Sequence, residues 1–423
     1  MNVPYSTARP PNAVFNPPVP IRSSDRRFQL YEYVFYFLIV YQMMGAAFGL
    51  SVGFLGGAMH VGLAILCILR VRSQFFAIQA PVVIPLLCVV SYVSIQLFVH
   101  NESLSDDLIR SLIIWVMDLI IVKSLSTRPG FLRRASTALF ISAVLLLPHL
   151  HITGEGRAEL DHTAGVAIAN GNDLAAWFGF CALALTIQGF EARSRFRMWI
   201  SWTAAISSAF VVALTVSRGP LLALAVCLII VFRKQARRSF LPILAVIVLL
   251  VVAMASGIFS SVITQYTDRG MEETGRFQVW PRVVERIWAS PGAGVGVSHL
   301  LTDSGFRIAD GRRKMIPPHN SFLYIALGAG VVPLFFFCLY WLMGLRGALK
   351  GSSPLNPNSA YLLPLWVYAF MSLFEIDSTF TQPWSTIVMC ACLPYSGFRF
   401  HREIRAGEQV KDERKYELVV PRR

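Results

Sequence analysis

Residues 204–232 read AAISSAFVVALTVSRGPLLALAVCLIIVF and point directly to a class of fold. Two long apolar runs stand on either side of a single cation, Arg218, and only a short bend separates them. A helix of about 20 apolar residues is long enough to cross a bilayer. The stretch therefore predicts two membrane-spanning helices, at 197–216 and 219–232, joined as a tight hairpin, although the second run is shorter than a usual span.

The rest of the chain repeats this apolar pattern. Of its 423 residues, 55% are hydrophobic and 15% are charged, whereas soluble domains carry about 25% charged residues. This composition predicts an all-α polytopic membrane protein with about twelve transmembrane helices. The predicted spans lie at 30–47, 50–69, 77–99, 107–123, 134–151, 164–189, 197–216, 219–232, 240–260, 319–345, 359–374 and 383–398.

The positive charges fall mainly in alternate connections between these spans. The formal net charge is +14, and the C-terminal tail and one alternate set of connections hold most of the Lys and Arg residues. The positive-inside rule then predicts that both termini are cytoplasmic and that the long loop 261–318 lies outside. The orientation of the helices in the membrane and contact with lipid headgroups explain this distribution of charge. It argues against nucleic acid as a partner.

The same pattern divides the chain into three parts. Residues 1–28 are rich in proline and predict a disordered cytoplasmic tail. Residues 29–398 form the predicted transmembrane domain, which includes the long outer loop. Residues 399–423 carry mixed charges and predict a second cytoplasmic tail.

The bend at Arg218 is the first candidate site. Ser217 is a plausible N-cap, Gly219 permits close approach, and Pro220 suits a first helical turn. The start of the following helix presents free N–H groups and the positive end of the helix dipole, to which Arg218 adds a full charge. The bend therefore predicts an anion site at the outer membrane boundary. An arginine that reaches a lipid phosphate from the interface is the open alternative.

The long outer loop contains a predicted amphipathic helix. Arg276 precedes it and is a candidate ligand for an anion, with a lipid headgroup contact as the alternative. Arg282 lies on its polar side and is a candidate substrate-binding residue. The apolar residues predict a helix that lies along the membrane interface, and they are Trp280, Val284, Ile287 and Trp288. The glycine-rich stretch at 291–296 predicts a flexible turn where backbone approaches a ligand.

His319 and Asn320 follow two prolines and open the predicted tenth span. Histidine is the ordinary general base near neutral pH, so His319 is a candidate catalytic residue, although a neutral helix cap is the alternative. Asn172 and Asp173 lie six to nine residues inside the predicted sixth span with their neighbours at 170 and 171. They predict either the lining of an outward-facing cavity or a structural hydrogen bond between helices.

Three of these motifs stand in a characteristic order along the chain. They are Ser217-Arg218-Gly219, Gly275-Arg276-Phe-Gln-Val-Trp280 and His319-Asn320. In this order, on this topology, they resemble the O-antigen ligase and Wzy-type polysaccharide polymerase superfamily. The resemblance is densest over roughly residues 165–345.

Further positions extend the likeness. Arg218 with Leu222 matches an Arg-x-x-x-Leu pattern of that family, and His319-Asn320, followed after nine residues by Gly330, matches its histidine motif. Pro333 stands where the family often has a small residue, which departs from the ligase-specific form of the motif.

The resemblance implies a membrane glycosyltransferase of the GT-C-like class in the bacterial inner membrane, with its active site on the periplasmic face. Such enzymes move a glycan from undecaprenyl pyrophosphate to an acceptor hydroxyl, without a cofactor. The implied catalytic residues are Arg218 and Arg276, which hold the diphosphate, and His319, which takes the acceptor's proton. The implied reaction is metal-independent and inverting. Substrate-binding residues are expected to be Ser217, Asn320, Asn172, Asp173 and Arg282.

Two reactions are compatible with this resemblance. A polymerase joins lipid-linked repeats into exopolysaccharide or O-antigen, and a ligase transfers the glycan to lipid A-core. The departure at Pro333 favours the polymerase. The expected partners are the lipid-linked donor, a glycan or lipid A-core acceptor, membrane lipids, and polysaccharide export or chain-length proteins. A transporter or lipid flippase is the alternative from another class, and it predicts internal repeats and midplane charges.

Overall fold

The structure is a computed structural model that describes twelve stretches of the chain. These are residues 26–48, 53–70, 80–102, 106–126, 128–152, 158–160, 171–235, 276–307, 313–353, 356, 358–376 and 383–396. At several helix ends only the backbone is described, and Arg276 is one such residue. The predicted span 240–260 and most of both predicted tails lie outside the described residues.

Helices make up most of the described chain. They are α1 (Arg26–Phe48), α2 (Gly53–Arg70), α3 (Ala80–Ser94) with a π-helical turn (Ile95–Val99), α4 (Asp106–Leu125), α5 (Phe131–Val144), α6 (Gly171–Glu191), α7 (Arg195–Leu214), α8 (Arg218–Gln235), α9 (Arg276–Ala289), α10 (Ser321–Ala329), α11 (Val331–Gly351), α12 (Ser359–Ser372) and α13 (Pro383–Cys392). Two short antiparallel hairpins, which the sequence did not predict, stand in connections. They are formed by β1 (Leu150–Ile152) with β2 (Ala158–Leu160) and by β3 (Thr302–Arg307) with β4 (Arg313–Ile316).

Membrane-spanning length is present in four of the described helical segments, which run over Phe131–His149, Gly171–Glu191, Arg195–Leu214 and Val331–Gly351. Other apolar helices are shorter, such as Leu55–Leu69 and Val83–Val99. These segments support the prediction of a helical membrane protein. The number of twelve spans stays a prediction.

Helix α6 lies at the centre of the described bundle. It packs against α5, α7, α8 and α12, and its Trp177 and Phe180 are fully buried. The Trp177 indole donates to the carbonyl of Leu139 at 3.1 Å, and the Tyr368 hydroxyl donates to the carbonyl of Ala176 at 2.9 Å. A helix that is apolar on all sides belongs in such a core. It gives a rigid support for the helices that begin beside it.

The predicted tenth span, 319–345, is not one helix. It divides at Gly330, whose φ of 82° ends α10 and starts α11. An added Cβ at Gly330 would lie 2.6 Å from the carbonyl oxygen of Gly292, so the position requires a glycine. The prediction was wrong here because the apolar run continues unbroken across the break and gives no periodic signal.

The glycine-rich stretch at 291–296 packs against this break. Val295 N–H donates to the Leu327 carbonyl at 2.7 Å, and Val331 N–H donates to the Pro291 carbonyl at 2.9 Å. These bonds satisfy backbone groups that a broken helix leaves without intrahelical partners. The close backbone approach that the glycines predicted is therefore to the protein's own helix break.

The turn after this stretch is held by a carboxylate. Glu102, just beyond α3, accepts hydrogen bonds from the N–H of Val297 at 2.8 Å and of Ser298 at 3.2 Å, and also from the Ser298 hydroxyl. The Gln96 amide of the π-helical turn donates to the Gly328 carbonyl at 2.8 Å. The outer loop is thus fastened both to the end of α3 and to α10.

Helix α9 buries a different face from the apolar one that the sequence predicted. Val279 and Val283 pack with Leu300 and Leu327 in a small second core. Of the residues expected at the membrane interface, Ile287 packs against this core and Trp280 is half-buried, whereas Val284 is 39% exposed and Trp288 is 75% exposed. Helix α9 is therefore docked on α10 through one face, and Trp288 lies on its exposed side.

Candidate active site

The bend before α8 joins the starts of two helices. Ser217 is buried at 3% exposure, and its hydroxyl donates to Asn172 Oδ1 at 2.9 Å and to the Gly171 carbonyl at 3.3 Å. Arg218 begins α8 and is half-buried. Ser217 directly precedes α8, and its hydroxyl donates the bonds that connect α8 to the first turn of α6.

Asn172 and Asp173 lie in the first turn of α6 as the structure describes it. The sequence placed them about two turns inside a span, and the described helix begins only at Gly171. Asn172 makes the structural hydrogen bond between helices that was one of its two predicted roles. Both side chains are half-buried.

A carboxylate that the sequence analysis did not single out lies against this bend. Glu375 follows α12 and is only 9% exposed. A Cβ built on Gly219 would lie 2.1 Å from Glu375 Cδ and Oε1, so the carboxyl group fills the space that the missing side chain leaves. The positive end of the α8 dipole favours a negative group at this place. Gly219, next in the chain to Arg218, therefore permits the approach of the protein's own carboxylate.

The start of α10 meets the same stretch of chain. Ser321 N–H donates to the Leu373 carbonyl at 2.8 Å, and its hydroxyl donates to the Ile376 carbonyl at 2.9 Å. Asn320 is buried and caps α10, because its Oδ1 accepts from the N–H of Phe322 at 3.0 Å and of Leu323 at 3.2 Å. The Asn320 oxygen thus stabilises the start of α10, and this holds the backbone directly after His319 in place.

His319 has an unusual backbone conformation. Its φ is 47°, in the left-handed region, and its side chain is half-buried. Val216, two residues before Arg218, has a φ of 53°. Among the described residues, three that are not glycine have a positive φ, and the third is Asn101. Strained backbone of this kind is found mostly at functional sites, and it persists only where surrounding contacts hold it.

Helix α9 is attached to the segment just before His319. The Trp280 indole donates to the Pro318 carbonyl at 2.8 Å. Arg276 begins α9 one turn earlier, and its side chain lies outside the described residues. The indole contact places the second turn of α9 next to the histidine segment.

These contacts connect the three predicted catalytic positions. The stretch 373–376 touches both the bend at Arg218 and the start of α10, and Trp280 attaches the helix of Arg276 to Pro318. Ser217, Asn172, Asp173 and Asn320 lie in the same group of helix starts. Arg282 lies apart from it, because its guanidinium donates to the Asp303 carbonyl at 2.8 Å in the outer hairpin. The stretch 373–376 is thus a common neighbour of the start of α8, which carries Arg218, and of the start of α10, which follows His319.

Comparison with known protein families gives a match over part of the chain. Residues 202–338 match the family model described as O-Antigen ligase. The match confirms the resemblance that the ordered motifs carry, and it includes Arg218, Arg276 and His319. A search of curated proteins finds no match.

The O-antigen ligase match covers α8 to α10 and the outer loop between them. It supports glycan transfer of the ligase or polymerase type by a membrane glycosyltransferase-like enzyme, and it favours this function over transport. Lipid-linked glycans and lipid A-core or polysaccharide are the substrates that this family implies. Helix α6 and Glu375 lie outside the matched residues. In the structure both contact the arginine bend, which lies inside the matched segment.

Proposed function

We propose that the protein transfers a glycan on the periplasmic face of the inner membrane, from an undecaprenyl-pyrophosphate-linked donor to an acceptor hydroxyl. The specific form that we propose is polymerisation of lipid-linked repeats into exopolysaccharide or O-antigen. The observation that carries the proposal is the contact of the stretch 373–376 with both Gly219 and Ser321, which links the arginine bend to the histidine segment.

The donor's diphosphate would be held at the start of α8. Arg218 supplies a planar guanidinium that can bind two phosphate oxygens at once. Arg276, at the start of α9, supplies a second guanidinium. Charge develops on the diphosphate as the bond to the sugar's anomeric carbon breaks, and fixed positive groups stabilise that charge. Two arginines can serve this purpose without a metal ion.

His319 would act as the general base. Its imidazole takes the proton of the acceptor hydroxyl while the oxygen attacks the anomeric carbon, and undecaprenyl pyrophosphate leaves from the opposite side. This direct displacement inverts the anomeric configuration. Asn320 and the contact of Trp280 with Pro318 fix the backbone on both sides of His319, and such fixed geometry is what a displacement needs.

Replacement of the base tests this proposal. His319→Ala should lower glycan transfer by roughly 10²–10⁴-fold, the usual contribution of a general base. The measurement is the length and amount of surface polysaccharide in cells that carry only the variant. His151→Ala is the matched control, since His151 is an exposed histidine of β1. Normal polysaccharide in the His319→Ala cells would reject the assignment.

Ligation to lipid A-core is the alternative reaction, because a ligase uses the same lipid-linked donor and differs only in its acceptor. A deletion strain separates the two reactions through its accumulated lipid intermediates. Single repeats on undecaprenyl pyrophosphate are expected if the protein is a polymerase. Long chains that stay on the lipid would show instead that a ligase was lost.

A further inference from the structure

A polar cavity lies along α9, away from the arginine bend. Its volume is about 630 Å³, and it opens between α9, the turn at 297–299 and the β3–β4 hairpin. Its lining includes Arg282, Glu285, Arg286, His299 and Asp303. Arg282 is the predicted substrate-binding residue that lies apart from the other site residues, and this cavity is where the structure places it.

The two sides of the cavity are fixed to each other. Arg286 donates to the carbonyls of His299 at 2.6 Å and Leu301 at 2.9 Å, and to the Thr302 hydroxyl at 2.8 Å. Arg282 donates to the Asp303 carbonyl at 2.8 Å and faces its carboxylate at 3.6 Å. Together these hydrogen bonds hold the cavity in one shape. A preformed site loses less conformational entropy when it binds a ligand.

The charges of the lining are balanced. Arg282 and Arg286 are matched by Glu285 and Asp303. A polyanion would meet two carboxylates here, and a polycation would meet two guanidiniums. A neutral ligand rich in hydroxyl groups suits both, because a hydroxyl donates to the acids and accepts from the arginines.

The lining also offers apolar surface. Leu301 and Met315 border the cavity and are both half exposed. Sugars present C–H faces as well as hydroxyl groups, so a lining that mixes charged and apolar groups suits them.

The cavity is close to the proposed transfer site. Trp280 contacts Pro318, next to His319, and Glu285 and Arg286 follow Trp280 by five and six residues on the same helix. At 1.5 Å per residue this separation is roughly 8–9 Å along α9. A short oligosaccharide that extends from the reacting sugar can reach the cavity.

We propose that this cavity is a glycan-binding subsite, which holds sugar residues of the substrate chain some distance from the bond that forms. The proposal rests on the proposed function for the identity of the chain, and it adds a place that orients this chain. Glu285 and His299 are its ligand-facing groups. Arg282 and Arg286 mainly hold its shape.

The test measures binding of a free oligosaccharide to the purified full-length protein in detergent. The probe is the host cell's own surface polysaccharide, released from lipid by mild acid and trimmed to short fragments. The double variant Glu285→Ala with His299→Ala should raise the Kd about tenfold, because it removes two hydrogen-bonding groups. Val284→Ala, on α9 but outside the cavity lining, is the control and should bind as the wild type does.

A conservative variant tests the chemistry of the ligand. Glu285→Gln keeps a hydrogen-bonding group without the charge, so it should bind a neutral glycan nearly as well as the wild type. Failure of the wild type to bind, or an unchanged Kd in the double variant, would overturn the proposal. Displacement of the probe by inorganic phosphate or by phosphatidylglycerol vesicles would overturn it too, since it would indicate an anion site.

The failure of this subsite and the failure of the proposed function are distinguishable. Binding is measured without the lipid-linked donor, and His319→Ala should retain it. Lost binding in the cavity variants together with normal transfer by His319→Ala would reject only the catalytic assignment. Lost transfer by His319→Ala together with unchanged binding in the cavity variants would reject only the subsite.

Discussion

At the scale of single residues, the chain holds costly backbone conformations beside the proposed chemistry. Val216 and His319 have φ values of 53° and 47°, and each such conformation costs about 1–3 kcal/mol. The β-branched Val216 is especially unfavourable there. Packing against the starts of α6 and α10 must hold both residues, so these helix starts serve to position Arg218 and His319.

The two interpretations of Arg218 predict different results for Arg218→Lys. Lysine keeps the charge but cannot bind two oxygens through a planar fork. If Arg218 holds a diphosphate, transfer should fall by roughly 10–100-fold, the loss expected for a charge-assisted hydrogen bond. A lipid headgroup contact should tolerate the change. Arg197→Lys, at an exposed arginine of α7, is the control, and transfer is measured with the purified protein.

The close contact between Gly219 and Glu375 gives a second residue-scale prediction. Gly219→Ala should destabilise the protein by about 1–3 kcal/mol, because the new methyl group would overlap the Glu375 carboxyl group. Glu375→Ala should relieve most of that loss, so the two changes should not be additive. Thermal unfolding in detergent measures this cycle.

Gly62→Ala is the matched control for that cycle, since nothing lies within 4 Å of an added Cβ there. Equal losses for Gly219→Ala with and without Glu375 would show that the carboxyl group is not packed against α8.

Single residues also show the limits of prediction from sequence. Arg218 and His319 were found because a cation and an imidazole are unusual at the ends of apolar runs. Glu375 was missed because its importance comes from a contact 156 positions away, with Gly219. Asn320 was predicted to bind substrate, yet its Oδ1 caps α10. The sequence Asn-Ser-Phe before an apolar run is a recognisable N-cap signal.

At the scale of elements, separate contacts hold the described parts of the outer loop against the helices. Glu102 holds the turn at 297–299, the stretch 291–296 pairs with the helix break at Gly330, and Trp280 holds Pro318. The amphipathic helix was predictable from its periodicity. The break in the tenth span and the docking of α9 on α10 were not, because both depend on contacts between distant segments.

The Glu102 contact predicts a dependence on pH. Burial raises the pKa of Glu102, but the hydrogen bonds from Ser298 and Val297 outweigh it and lower the pKa below its ordinary value. A carboxyl group with a lowered pKa stabilises the folded state above its unfolded pKa, and this contribution is lost as the pH falls through the folded pKa. The turn at 297–299 should therefore loosen in acid, below about pH 4.

Hydrogen exchange of the Val297 and Ser298 amides measures this effect. Glu102→Gln should speed their exchange at neutral pH, and the difference from the wild type should disappear in acid. Glu159→Gln, at a carboxylate of the β1–β2 hairpin, provides a control for a general loss of charge. Identical protection in the wild type and in Glu102→Gln at neutral pH would contradict the role of Glu102.

At the scale of the whole molecule, the starts of α8 and α10 both contact the stretch 373–376, and α6 begins beside α8. Helix α6 also packs along α8 and therefore supports the helix start that carries Arg218. The alternation of apolar runs predicted the membrane class and the common face of these helix starts. It could not predict their meeting, because lateral packing of helices in a bilayer depends on side-chain fit and not on hydropathy.

The most direct measurement of the central claim is the release of undecaprenyl pyrophosphate from a lipid-linked repeat by the purified protein. The account predicts release by the wild type, by Arg197→Lys and by His151→Ala, and at least about 100-fold slower release by His319→Ala. Release by His319→Ala at the wild-type rate would contradict the claim that the arginine bend and the histidine segment form one transfer site.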